Sequence, residues 1–206
     1  MSLRNVEDLR AERGIDVSYE TVRCWTNKFG PAIAAKIREA RGRGDSVWHL
    51  DEMVVRIGGA RMFMWRAVDK EGEVLDILVQ KRRNKAGALK LLRKLFKNQD
   101  APPEQIVTGG LASCRAAMKI MGRREKLYPG QLRDRNRIEN SRLSVRRRER
   151  KIQRFKSQGQ AQRFVSTHSA IYNIFAVQRH LVSRKTMRTF RAAAFAEWGA
   201  ASGTDD

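Results

Sequence analysis

Val47-Trp48-His49-Leu50-Asp51-Glu52-Met53-Val54-Val55-Arg56-Ile57, closed by Gly58-Gly59, is the stretch whose reading decides the fold. It is rich in β-branched and aromatic residues, which suit a strand, and it ends in two glycines, which accept the positive φ of a tight hairpin turn. A second strand is expected over Arg61–Val68, a turn at Asp69-Lys70-Glu71-Gly72, and a third strand over Val74–Gln80. Strands joined by such short turns form an antiparallel meander. Next, Lys85–Asn98 reads as a helix with Leu89, Leu92 and Phe96 on its core face. Gln105–Thr108 reads as a short apolar strand after Pro102-Pro103, and Ala112–Met121 as another helix. Residues 122–136 read as irregular. Helix is expected again from about Asn136 to Lys151 and over about Gln160–Leu181, with a last one over Thr186–Ala201. The fold class is α/β.

Ahead of this region, Ser2 can cap a helix from about Leu3 to Arg13, with Leu3, Val6 and Leu9 on one face and Gly14 as its stop. Ser18 can cap a second from about Tyr19 to Phe29, with Val22, Trp25 and Phe29 as the inward stripe and Gly30-Pro31 as its end. Two short helices across a glycine-containing turn fit a helix-turn-helix, and a plain helical hairpin fits equally well. In the first reading Arg23, Thr26, Asn27 and Lys28 face outward, with side chains suited to phosphates and base edges. The expected organisation is therefore residues 1–30 as a helix-turn-helix segment and 31–45 as a helix (Ala32 to Ala40) with a basic linker. Residues 46–185 form the α/β domain, and 186–206 a terminal helix and tail.

The chain has 206 residues, 43 Lys and Arg against 22 Asp and Glu, and a formal charge of +21. A hydrophobic share of 41% is enough for a core, so this charge sits on a folded protein and not on a disordered tail. Self-repulsion on that scale is offset by a polyanion, and duplex DNA gains from the release of its condensed counterions. A membrane surface ranks lower, because no run approaches the length of an apolar span and no strongly amphipathic basic helix carries a bulky apolar face. RNA ranks last, since an aromatic content of 7% shows no stacking platform. Cys24 and Cys114 give neither a disulfide framework nor a metal spacing, and His49, His168 and His180 lie far apart. Met1-Ser2-Leu3-Arg4 begins no secretory signal, so a reducing cytoplasm is expected.

Two acids stand out. Asp51 lies inside an apolar strand, where a carboxylate needs a cation or partner to offset its desolvation, unless the strand is an edge and Asp51 faces solvent. Glu139, in Asn136-Arg137-Ile138-Glu139-Asn140, complements a helix dipole in one reading. In the other it joins Asp51 as a ligand for Mg²⁺, of the kind that clamps a phosphodiester during in-line attack. A basic run follows on the same expected helix: Arg146, Arg147, Arg148, Arg150 and Lys151, then Arg154 and Lys156. A solvated face is the plainer account of such a run; phosphate binding beside the acids is the sharper one.

Taken in order, these features resemble a known family. The residues that carry the likeness are His49-Leu50-Asp51-Glu52, Gly58-Gly59, Trp65-Arg66-Ala67-Val68-Asp69, Asn136–Asn140, Arg146–Arg150 and Gln153-Arg154-Phe155-Lys156-Ser157. The chain resembles the bacterial DDE transposases of the IS-six family of insertion sequences over nearly its whole length. The resemblance implies a ribonuclease-H-like domain, a mixed sheet flanked by helices, preceded by a helix-turn-helix that reads terminal inverted repeats. It implies two Asp and one Glu that bind Mg²⁺ (or Mn²⁺) for cleavage and strand transfer. It also implies double-stranded DNA as partner, at transposon ends and target, and a homodimer or larger assembly near the bacterial nucleoid.

Carried over, Asp51 is the first acid and Glu139 the last. The second acid is expected directly after Ile106-Val107-Thr108, where Gly109 stands, and glycine has no ligand atom. The interval from Gly109 to Glu139 (139 − 109 = 30 positions) is shorter than the family leads one to expect, and the chain starts at the helix-turn-helix without the segment that usually precedes it. The expectation is a DNA transposase with impaired chemistry; the alternative is a catalytically inactive, transposase-derived DNA-binding protein or repressor.

Overall fold

The computed structural model describes residues 2–41, 45–99, 101–130, 143, 145–150, 155–176 and 182–203. The chain divides into two compact units, a sheet unit of Gly42–Val165 and a helical unit of Met1–Arg41 with Ser166–Asp206.

In the sheet unit, β1 (Val47–Ile57), β2 (Ala60–Asp69) and β3 (Val74–Gln80) form the antiparallel meander. Gly58 and Gly59 make the β1–β2 turn with φ of 55° and 81°, values open to glycine at no steric cost. After α3 (Lys85–Asn98), β4 (Gln105–Thr108) pairs parallel with β1. Then come α4 (Ala112–Ile120), a 3-10 turn at Arg124–Lys126, and β5 (Leu127–Pro129), parallel to β4. The sheet order β3-β2-β1-β4-β5 is the mixed, ribonuclease-H-like arrangement, with helices on both faces. β1 is therefore the central strand, which removes the solvent-facing edge reading of Asp51. β5 corrects the irregular reading of 122–136 over Leu127–Pro129, while 131–136 lie outside the described residues. It has three residues, two of them exposed, and so gives no alternation to detect.

Strand alternation sends β1 side chains to two cores. Trp48 and Leu50 join Trp65, Ala67, Ile106 and the inner faces of α3 and α4. The α3 face is centred on Ala88, Leu91, Leu92 and Leu95, with Leu89 and Phe96 partly buried beside it, a rotation from the face read in the sequence. Met53, Val55 and Ile57 point the other way, against Val145, Phe155, Ala161 and Val165. Residues 145–150 are helical, and α5 (Gln158–Phe175) supplies Ala161 and Val165.

The outer edge of β3 is closed by side chains of α5. Gln162 donates to the Ile77 carbonyl at 2.9 Å and accepts from the Val79 N–H at 2.8 Å, while Gln158 donates to the Val79 carbonyl at 2.8 Å. An open edge of unpaired backbone groups is thereby blunted.

In the helical unit, α1 (Leu3–Ala11) starts at Ser2 and α2 (Tyr19–Ala40) at Ser18, each serine accepting a backbone N–H as the sequence leads one to expect. α2 differs from expectation by running straight through Gly30-Pro31. Proline inside a helix forfeits one hydrogen bond and crowds the preceding turn. Burial of Ala34 and Ile37 with Ala170 of α5 and Ala201 of α6 (Arg184–Ser202) offsets that cost. A second difference concerns the stripe read as inward: Trp25 and Phe29 are 43% and 49% exposed.

Candidate active site and nucleic-acid interface

The parallel pairing of β1 with β4 ends at Leu50 opposite Thr108. Asp51 and Gly109 are the residues that directly follow this last pair. Position 109 follows the last residue of β4, and Gly110 turns the chain away with φ of 82°. A Cβ built on Gly109 meets no atom within 4 Å, and its φ is not in the left-handed region. Nothing in the backbone or packing requires glycine there, so the position has room for a carboxylate.

Asp51 shares the sheet face of Met53 and Val55, since alternate residues of a strand point the same way. That is also the face covered by Val145, and the exposed Arg146, Arg147 and Arg148 follow Val145 directly in the helical stretch. Across the antiparallel pair, Asp51 faces Arg66, whose residue exposure is only 2%. His49, equally buried, lies two residues before Asp51 on the same side. The Arg66 guanidinium and the arginines that follow Val145 are thus the cationic groups on the Asp51 face, which suits an anionic ligand.

Glu52 points to the opposite face, where it pairs with Arg83. Burial raises its carboxyl above the ordinary glutamate range, and the Arg83 guanidinium offsets that rise only in part. Cys114, buried in α4, has its thiol pushed up to about 12, first by burial and then by the Glu52 charge. These groups form a structural cluster beneath the sheet; a thiol so disfavoured as thiolate is a poor nucleophile.

Glu139, Lys151 and Arg154 lie outside the described residues. Among the described ones, no three His, Cys, Asp or Glu side chains come together in a way that could hold a metal. A two-ion clamp needs ligands for both ions. Among the described residues, Asp51 is the one carboxylate of the expected set, and Gly109 supplies no ligand atom.

Of the remaining expected DNA contacts, Arg150 and Lys156 are exposed, as are Arg23, Asn27 and Lys28 on α2. Arg23 is held by Glu20, with Nε donating to Oε2 at 2.8 Å. The described part of the Gln153–Ser157 motif, residues 155–157, has a structural use that sequence reasoning missed. Phe155 is buried against Phe164, its carbonyl accepts from Gly58 N–H at 3.0 Å, and Ser157 caps α5 by accepting from Gln160 N–H at 3.2 Å. Its counterpart is Gly58, where a Cβ would lie 2.8 Å from the Lys156 carbonyl oxygen. Two separated motifs are thus one docking contact; the signal lay in their joint presence, not in either alone.

A family model described as a DDE domain matches residues 45–178. The transposase for insertion sequence-like element IS431mec of Staphylococcus aureus (strain Mu50) is 29% identical over 129 residues, which is 63% of this chain and 57% of that protein. The transposase for insertion sequence element IS257 in transposon Tn4003, also from Staphylococcus aureus, is 28% identical over the same length and shares. The chain thus spans little more than half the length of these curated relatives. Among solved structures, the catalytic core domain of BIV integrase aligns with a TM-score of 0.45 at 10% identity, covering 75% of this chain and 99% of that one. The HTLV-2 integrase catalytic core domain in complex with magnesium aligns with a TM-score of 0.46 at 9% identity, over 67% and 90% of the two chains.

Proposed function

The chain belongs to the DDE-domain transposase family of the IS-six insertion sequences, and on that footing we propose that it binds the terminal inverted repeats of such an element while its strand-transfer chemistry is impaired at position 109. The observation that supports this reading is that Asp51 and Gly109 each come directly after Leu50 and Thr108, the last pair of the parallel ladder between β1 and β4. Asp51 takes the role of first acid and Glu139 of last. The missing carboxylate at 109 lowers metal affinity and loosens the positioning of the reacting phosphate. Arg146, Arg147, Arg148, Arg150, Lys151, Arg154 and Lys156 hold DNA phosphates beside the acids, and Asn27 and Lys28, with Arg23, contact the repeat through α2. The sheet unit favours such a polyanion, for it carries 30 Lys and Arg against 13 Asp and Glu, a net of +17. No helix among the described residues is long and apolar enough to cross a membrane. The partner is duplex DNA, the assembly a homodimer or larger on paired ends, and the setting the bacterial cytoplasm at the nucleoid.

The test is strand transfer of labelled terminal-repeat DNA with Mg²⁺ or Mn²⁺, by this chain and its Gly109→Asp variant. The expected outcome is specific, steeply salt-dependent binding by both and strand transfer by the variant alone. Strand transfer by the unaltered chain would sink the proposed impairment. If both bind but neither transfers, the second reading, a DNA-binding repressor derived from a transposase, takes its place.

A further inference from the structure

α6 lies beyond residues 45–178, the part that matches the family model, and it carries an exposed apolar groove. Phe175 at the end of α5, with Met187, Phe190, Arg191, Ala194 and Phe195 of α6, lines a space of about 360 Å³ within the helical unit. Phe175, Phe190 and Phe195 are 39%, 45% and 64% exposed. At about 100° per residue, Phe190 and Phe195 stand about 140° apart around the helix. Buried Ala194 lies between them. Two large rings thus form the rims and a small side chain the floor, so the apolar surface is concave. Phe175 packs edge-on against Phe195, with ring centroids 5.4 Å apart, and fixes that wall. Exposed apolar area of this shape suits an inserted side chain. The sequence reading found no basic helix with a bulky apolar face. α6 corrects it, because its phenylalanines are set among alanines and form no apolar run.

The charges beside the groove are of one sign. Arg184, Lys185, Arg188 and Arg191 are exposed, and Glu197 is the one acid of α6. The adjoining end of α5, Ser166–Phe175, carries no acid. Among the described residues, no carboxylate pairs with any of the four cations. Arg184, Arg188 and Arg191, spaced by four and three, share one side of the helix. Arg184 and Lys185 also occupy the first turn of α6, where a cation opposes the helix dipole. Helix stability alone favours an acid there, so a negative group brought by a partner relieves that conflict as well. A second copy of this basic chain is repelled by the stripe. A flat bilayer reaches the rims and leaves the floor empty. Duplex DNA satisfies the arginines but offers the phenylalanines only phosphate and sugar. An acidic helix with an apolar side meets both features.

We infer that the groove between the end of α5 and α6 receives an amphipathic helix of an acidic partner protein. A bulky apolar side chain enters the concavity, and Asp or Glu on the flanking turns meet Arg184, Arg188 and Arg191. This goes beyond the proposed function and does not depend on position 109. The test uses the full chain and a fluorescent helical peptide with Leu and Phe on one face and Glu on the other, followed by anisotropy. Two control peptides carry Ala in place of Leu and Phe, or Gln in place of Glu. The expected result is saturable binding of the first peptide, weakened at least about tenfold in either control. Phe190→Ala with Phe195→Ala weakens it as much. Arg188→Glu with Arg191→Glu abolishes it and gains affinity for the same peptide with Lys in place of Glu, a swap that misfolding does not mimic. This exposed pair decides the matter if the phenylalanine pair loses helix content. Equal binding of the Ala control overturns the inference, since the chain then acts only as a polycation. Full binding by the phenylalanine pair, or no gain by the Lys peptide, overturns it too. So does an absence of peptide binding, and if the phenylalanine pair then loses affinity for duplex DNA or for phosphatidylserine vesicles, the groove belongs to that surface instead.

Discussion

The two units of this chain solve opposite problems. The sheet unit tolerates a net charge of +17 because its strands bury both faces, placing Trp48, Leu50, Trp65 and Ile106 on one side and Met53, Val55 and Phe155 on the other. The helical unit carries 13 Lys and Arg against 9 Asp and Glu, a net of +4. It nevertheless has a shallow core of Ala34, Ile37, Ala170 and Ala201, built from small side chains. Apolar burial, not charge balance, decides which part of the molecule is firm.

The contrast can be broken most forcefully at Trp65, wholly buried in β2. Trp65→Ala should cost about 3–5 kcal/mol, read from the denaturant midpoint. A loss below about 1 kcal/mol would mean that the sheet is not the stable part. Gly58→Ala comes next. Its φ of 55° and the Lys156 carbonyl 2.8 Å from the new Cβ predict a loss of about 1–3 kcal/mol. Hydrogen exchange should then quicken first at the docked Phe155 segment. Pro31→Ala has the opposite sign. It restores an N–H inside α2 and should stabilise that helix by up to about 3 kcal/mol, visible as slower exchange of the amides around Thr26–Ala34. No gain there would show that α2 is held by packing alone.

The smallest effect is a pH dependence in the sheet unit. The Glu52 carboxyl is raised in the folded state, chiefly by burial. The folded protein therefore holds that proton more tightly than the unfolded chain, and stability falls as pH rises from the ordinary glutamate range through the raised value. Glu52→Gln should flatten this slope in denaturation curves measured at successive pH values. An unchanged slope would assign it to another group.

Much of the sheet unit was legible because its signals are local. The Val47–Ile57, Val74–Gln80, Lys85–Asn98 and Gln105–Thr108 bounds coincide with the observed elements, set by glycine turns and β-branched runs. β5 escaped because three residues carry no period, and α2 outran its apparent stop because distant packing outweighs a local breaker. At the candidate site, the family resemblance already joined Asp51 and Gly109 as positions of one acid set. The parallel register of the two strands that carry them, about sixty residues apart, is encoded by no local pattern.

By itself, then, the sequence determined the strand meander, the caps, the basic excess and the family motifs, all consequences of neighbouring residues. Tertiary structure decided which strand is central, which face Asp51 shares with the basic helix, that Gly58 and Phe155–Lys156 are one contact, and that the Trp25–Phe29 stripe faces outward. The reason is physical: a side chain's periodicity fixes which neighbours it points with, but only the packed chain fixes what it points at.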